Sequence, residues 1–193
     1  MDSKMNLLKW VGGVVGAALL GGLFVGVVVG VPVIDAADRY FSSNDFCAKT
    51  CHVMTETVAA EFATSTHGTS PKGVIPKCSD CHVSENLTGA MIDHALGIRD
   101  LYARWIKGID TAAEFETIRA DAANTARMAF FNSDSANCRS CHVMAAIKPE
   151  KKRGQVQHAD AIENKITCIV CHYDLVHKSV PLSAEFDAIV GSY

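Results

Sequence analysis

Cys168-Ile-Val-Cys171-His172 carries a pattern that occurs four times in the chain, and its reading decides the fold. The other copies are Cys47-Ala-Lys-Thr-Cys51-His52, Cys78-Ser-Asp-Cys81-His82 and Cys138-Arg-Ser-Cys141-His142. All eight cysteines of the 193 residues fall in these clusters, and histidine follows the second cysteine each time. Paired cysteines at this density also suit disulfides or structural zinc. Neither explains a histidine in the same place four times. Two cysteines three positions apart can form thioethers to the two vinyl groups of one haem, and the adjacent histidine then lies beneath the iron as axial ligand. The sequence therefore predicts four covalent haems c, held by Cys47 with Cys51, Cys78 with Cys81, Cys138 with Cys141, and Cys168 with Cys171. Their proximal ligands are His52, His82, His142 and His172.

The first cluster has three residues between its cysteines instead of two. The added residue must bulge out, so both cysteines still reach the vinyls while His52 is open to displacement from the iron. Met54 then competes for that place, because a soft thioether raises the iron potential relative to bis-histidine ligation. The alternative is a methionine that only packs on porphyrin, as expected of Met144. Four further histidines, His67, His94, His158 and His177, are candidate sixth ligands. Six-coordinate iron passes electrons with little rearrangement, whereas an open position binds small molecules.

The clusters are spaced as a repeat. His52 to His82 is 30 residues, His142 to His172 is 30 again, and Cys51-His-Val-Met54 recurs as Cys141-His-Val-Met144. This reads as a duplicated dihaem unit. Between the halves, residues 85 to 131 place Leu87, Met91, Ala95, Ile98, Leu101 and Trp105, then Phe115, Ile118, Ala122 and Met128, mostly at helical steps. Gly108 followed by Asp110 and Thr111 reads as a stop and a new N-cap, giving two helices. Little of the chain alternates apolar with polar. The expected class is all-α, with short helices and loops wrapped around cofactors that supply most of the core.

From Val11 to Ile34 no residue is charged. These 24 positions exceed the roughly 20 that a helix needs to cross the hydrocarbon core. They also exceed the apolar part of a cleaved signal peptide. The reading is an uncleaved anchor over residues 1–34 and an exported domain over 35–193. Lys4 and Lys9 before the span, with Asp35 and Asp38 after it, put the N-terminus in the cytoplasm and the domain in the periplasm of a bacterial inner membrane. Seven of the fourteen glycines lie in the span, including Gly12 with Gly16 and the series Gly22, Gly26, Gly30. Small residues four apart allow close packing against another copy or a partner's helix. The net charge is −3, with no basic face of the kind nucleic acid would require.

Taken together, these features resemble the membrane-anchored tetrahaem quinol dehydrogenases of the NapC/NirT/NrfH family. That family includes the small subunit of cytochrome c nitrite reductase and the electron donor to periplasmic nitrate reductase. The resemblance rests on one N-terminal anchor, four haem motifs, Cys-His-x-Met at the first, Cys171-His172-Tyr-Asp-Leu-Val-His177 at the last, and Gly97-Ile-Arg-Asp100-Leu-Tyr102 between the second and third. The Cys47 to Cys51 spacing is similar to relatives from ammonia-oxidising bacteria.

The resemblance implies Met54 on the first haem, His172 with His67 on the fourth and His142 with His177 on the third. The second haem has His82 as its proximal ligand, with either His158 or His94 opposite. The resemblance further implies oxidation of a membrane quinol or menaquinol near the first haem, with Asp100 as candidate proton acceptor. Electrons then pass to a periplasmic multihaem or other redox enzyme. Lys77, Arg99 and Arg104 are candidates to hold the quinol oxygens, and Tyr102 and Trp105 suit the lipid boundary. Three rival readings stand beside this one: a haem-based reductase of a nitrogen oxide at an open first haem, a quinone reductase running the other way, and an anchor that only tethers a soluble enzyme.

Overall fold

The computed structural model describes residues 2–193, and side chains from Trp10 onward. Lys4 and Lys9, on which the orientation reading rests, lie outside the described side chains. The described chain forms two compact units, residues 1–41 and 42–193. The division falls at the end of a helix, a little beyond the boundary at residue 34 expected from charge alone.

The first unit is helical throughout: α1 (Asp2–Val25), a π-helical turn (Gly26–Gly30) and α2 (Val31–Phe41). Trp10–Phe41 is long and apolar enough to cross a membrane, and none of the most apolar stretch is buried within the protein. An apolar helix with no protein around it is stable where lipid is the solvent. A Cβ added at any glycine from Gly12 to Gly30 would meet no atom within 4 Å, so internal packing does not demand these glycines.

The second unit is a run of short helices: α3 (Asn44–Lys49), α4 (His52–Glu56), α5 (Val58–Thr64), α6 (Cys78–His82), α7 (Leu87–Leu96), α8 (Ile98–Trp105), α9 (Ala112–Asn132), α10 (Ala136–Cys141), α11 (Lys152–Glu163) and α12 (Ala184–Val190). Single 3-10 turns lie at Met144–Ala146 and Cys168–Val170, and no strand occurs among the described residues. The all-α expectation holds. Residues 85 to 131 form three helices rather than two, because the chain breaks again at Gly97, between α7 and α8. The later stop is as read: Gly108 takes φ +71°, a conformation that favours glycine. Thr111 then caps α9 by accepting from Glu114 N–H, while the Glu114 carboxylate accepts from Thr111 N–H.

Few apolar side chains are buried: Val53, Ala90, Ile166, Ile169, Val170 and Phe186. A soluble domain of this size ordinarily encloses many more. Phe186 is wholly enclosed and meets the Tyr173 ring edge-on at 6.0 Å, pinning α12 against the loop after the fourth motif. Two arginines of α9 reinforce that loop from within. Arg127, 5 % exposed at its side chain, bonds Asp174 at 2.9 Å and the carbonyls of Val180 and Pro181, and it stacks on Tyr173. Arg119, 6 % exposed, grips Glu61 and Glu116.

Candidate haem sites

Each cysteine pair lies on one side of a local turn. Cys78 and Cys81 share one face of α6, Cys138 and Cys141 share a face of α10, and Cys168 and Cys171 frame a 3-10 turn in which positions i and i+3 eclipse. The first motif differs: α3 ends before Cys51, which turns extended at φ −115°, ψ 112° and opens α4. The added residue is absorbed by this break between helices.

The motifs are joined in chain order. The sulfurs of Cys47 and Cys78 lie close enough to interact, and so do those of Cys138 and Cys168. Cys81 and Cys141 are close enough to interact electrostatically, which links the second motif to the third. Backbone contacts repeat the pairing. Asn44, three residues before Cys47, accepts from Cys78 N–H at 3.0 Å, and Ser135, three residues before Cys138, accepts from Ile169 N–H at 3.2 Å. Asn137 donates to the Asp80 and Val83 carbonyls, again joining motifs two and three.

Three pairs of imidazoles face each other. The centroids of His67 and His142 lie 6.1 Å apart, those of His82 and His177 6.2 Å, and those of His158 and His172 6.2 Å. Two imidazoles bound on opposite sides of one iron, each bond about 2 Å long, have centroids about 6 Å apart. The geometry therefore fits an iron porphyrin between each pair. It does not fit bare zinc, because among the described residues no three His, Cys, Asp or Glu converge as a metal site. His82 is exposed to solvent, although protein mass crowds its ring. Desolvation first, and His177 second, push its pKa down to about 4. Desolvation is also the main cause that lowers His172 and His177. A neutral imidazole keeps the lone pair that a metal needs.

These facing pairs differ from the partners that the resemblance implies. His67 faces His142 of the third motif, not His172, and His177 faces His82 of the second motif, not His142. The ring opposite His172 is His158, and the ring opposite His82 is His177. The reason is tertiary: the 173–181 loop, drawn in by Arg127 and Arg119, swings His177 toward the middle of the domain. His94, on α7, belongs to none of the three pairs.

At the first motif, His52 is half exposed and its Nε2 lies 3.4 Å from Asp110, which also bonds Arg104. Met54, two residues on, is half-buried on α4. Asp100, on α8, has solvent access, but the protein mass around it raises its carboxyl above the ordinary range by desolvation, against a smaller lowering by Arg99. Tyr102 and Trp105 of the same helix are exposed, with Ile98 and Ile106 beside them. Glu61, Asp110, Arg119, Arg127, Asn44, Ser135 and Asn137 had no signal in the sequence, since each acts through partners far away in the chain.

A domain that sets four Cys-and-His attachment sites in order, three with facing histidines, on a chain bearing one apolar helix defines a membrane-anchored multihaem c-type cytochrome. The model of the NapC/NirT cytochrome c family, N-terminal region, matches residues 11–182, and the chain belongs to this family. It is similar to a probable tetraheme cytochrome c-type protein of Nitrosomonas europaea, 37 % identical over 86 % of this chain and 70 % of that one. The denitrification system component NirT of Stutzerimonas stutzeri is 33 % identical, over 82 % of this chain and 81 % of its own. The cytochrome c-type protein NapC of Escherichia coli is 31 % identical, over 84 % and 82 %. No solved structure matches. Membership makes haem c the cofactor and electron transport the class of function, and the apolar helix fits a single-pass membrane anchor.

Proposed function

We propose that the protein oxidises a membrane quinol and delivers the electrons to a periplasmic redox enzyme. The observation that carries this reading is the unbroken order of hydrogen bonds between successive motifs, Asn44 with Cys78, Asn137 with Asp80 and Val83, and Ser135 with Ile169, on a chain that also bears an apolar helix. When bound, the haems supply four one-electron iron couples.

The chain's own residues do the rest. His82 with His177, His142 with His67, and His172 with His158 would hold three irons from both sides. Met54 would hold the first, because His52 is engaged by Asp110. A quinol that gives up two electrons also releases two protons. Asp100, with its pKa raised toward the working range, is the group suited to accept one of them. The exposed Tyr102, Trp105, Ile98 and Ile106 suit the lipid interface where quinol is found. On this reading the N-terminus is cytoplasmic and residues 42–193 are periplasmic, where a redox enzyme can dock.

The test is anaerobic mixing of detergent-purified protein with a menaquinol analogue, followed by haem absorbance. Reduction that slows in the Asp100→Asn variant supports the proposal. Reduction by dithionite but not by the quinol rejects it. Turnover of nitrite or hydroxylamine after reduction would favour the reductase reading instead.

A further inference from the structure

We infer that Glu61 positions His177 and, with Arg119, sets the reduction potential of the haem held by Cys78 and Cys81. This rests on the reading of His82 and His177 as the two ligands of that iron.

Glu61 Oε2 lies 3.6 Å from His177 Nδ1, the ring nitrogen that ligation through Nε2 leaves over. The same oxygen accepts from the backbone N–H of Lys178 at 3.0 Å, so the carboxylate holds both the ring and the main chain next to it. Arg119 caps the carboxylate from the other side, at 3.1 Å to Oε2 and 2.9 Å to Oε1. Glu116 joins Arg119 at 2.8 Å and the Lys178 ammonium at 3.0 Å. Two carboxylates and two cations thus form one network, from α5, from α9 and from the ligand's own loop, which meets the imidazole through Glu61.

Glu61 accepts from both the Lys178 N–H and the Arg119 guanidinium, the partners that suit an ionised carboxylate. Nδ1 of His67, His158 and His177 is alike buried without a close hydrogen bond among the described residues, and of the three it is His177 that has a carboxylate oxygen within 4 Å.

A carboxylate beside the outer N–H of an axial histidine makes the ligand more basic and fixes its orientation. A more basic ligand favours the ferric over the ferrous ion, which lowers the potential. Arg119 draws part of the same charge away and raises it. The two residues therefore oppose each other, and this opposition separates tuning from support. A purely structural role predicts that losing either residue loosens His177 and moves the potential the same way.

The test uses full-length holoprotein in detergent and potentiometric titration followed by electron paramagnetic resonance. His177→Ala first identifies the signal of this haem. Glu61→Gln, which keeps an oxygen for Lys178 N–H, is expected to favour the ferrous form of that haem about tenfold, a rise of about 59 mV for one electron. Arg119→Gln is expected to lower the same potential, and Glu61→Asp to restore most of the Gln shift. Shifts of the same sign in both variants, or no shift where His177→Ala does perturb the haem, overturn the tuning role and leave the ligand reading intact. If His177→Ala perturbs no haem, the ligand reading itself fails and the inference falls with it.

Discussion

His67 and His142 face each other nearly at right angles, with ring centroids 6.1 Å apart and planes at 81°. The other facing pairs are closer to parallel, His82 with His177 at 31° and His158 with His172 at 41°. Parallel axial imidazoles split the two iron orbitals that point between them, whereas perpendicular ones leave them nearly equal in energy. One strongly anisotropic low-spin resonance is therefore expected beside two rhombic ones. His67→Ala should remove the anisotropic signal and leave the rhombic pair. Loss of a rhombic signal instead would show that His67 serves another haem.

Arg127 is the buried tie between α9 and the loop that carries His177. Its partner Asp174 is about a third exposed, so removing the arginine costs about 1–3 kcal/mol, chiefly through the hydrogen bonds lost at the loop. Arg127→Ala is expected to lose stability on that scale, read as a lower thermal midpoint of the Soret band. Detachment of His177 should precede global unfolding. A midpoint unchanged within error would mean that the loop is held by other contacts.

Asp100 offers a pH test. Its folded pKa is raised above the ordinary aspartate value of 3.8, so the fold favours the protonated carboxyl. The sign follows: the charged form costs stability as pH rises above 3.8 toward the folded pKa, and the cost is constant beyond it. Asp100→Asn should therefore be slightly more stable at neutral pH than the native protein and slower in quinol-driven reduction. The native rate should rise with pH through the folded pKa, and the variant should lose that rise. A variant with the native pH profile would remove Asp100 from the proton path.

The four cysteine pairs and the histidine after each stand out in the sequence because thioether chemistry demands local spacing. The helix caps at Thr111 and Gly108 were legible for the same reason. Which histidine rings face each other was not. His177 lies five residues after His172, yet it faces His82, because buried arginines on α9 draw its loop across the domain. No local pattern records such a contact. The two 30-residue spacings stand in the sequence, whereas the bonds of Asn44 and Ser135, each made three residues before one motif to the backbone of the next, became visible only in three dimensions. The break at Gly97 escaped because apolar periodicity runs on through it.

The central claim is that four iron porphyrins are bound covalently to this one chain, and intact-protein mass spectrometry under denaturing conditions tests it most directly. The account predicts the polypeptide mass plus four haems, falling by one haem when Cys78 and Cys81 are both replaced by alanine. A species at the bare polypeptide mass, from cells competent in haem attachment, would contradict it.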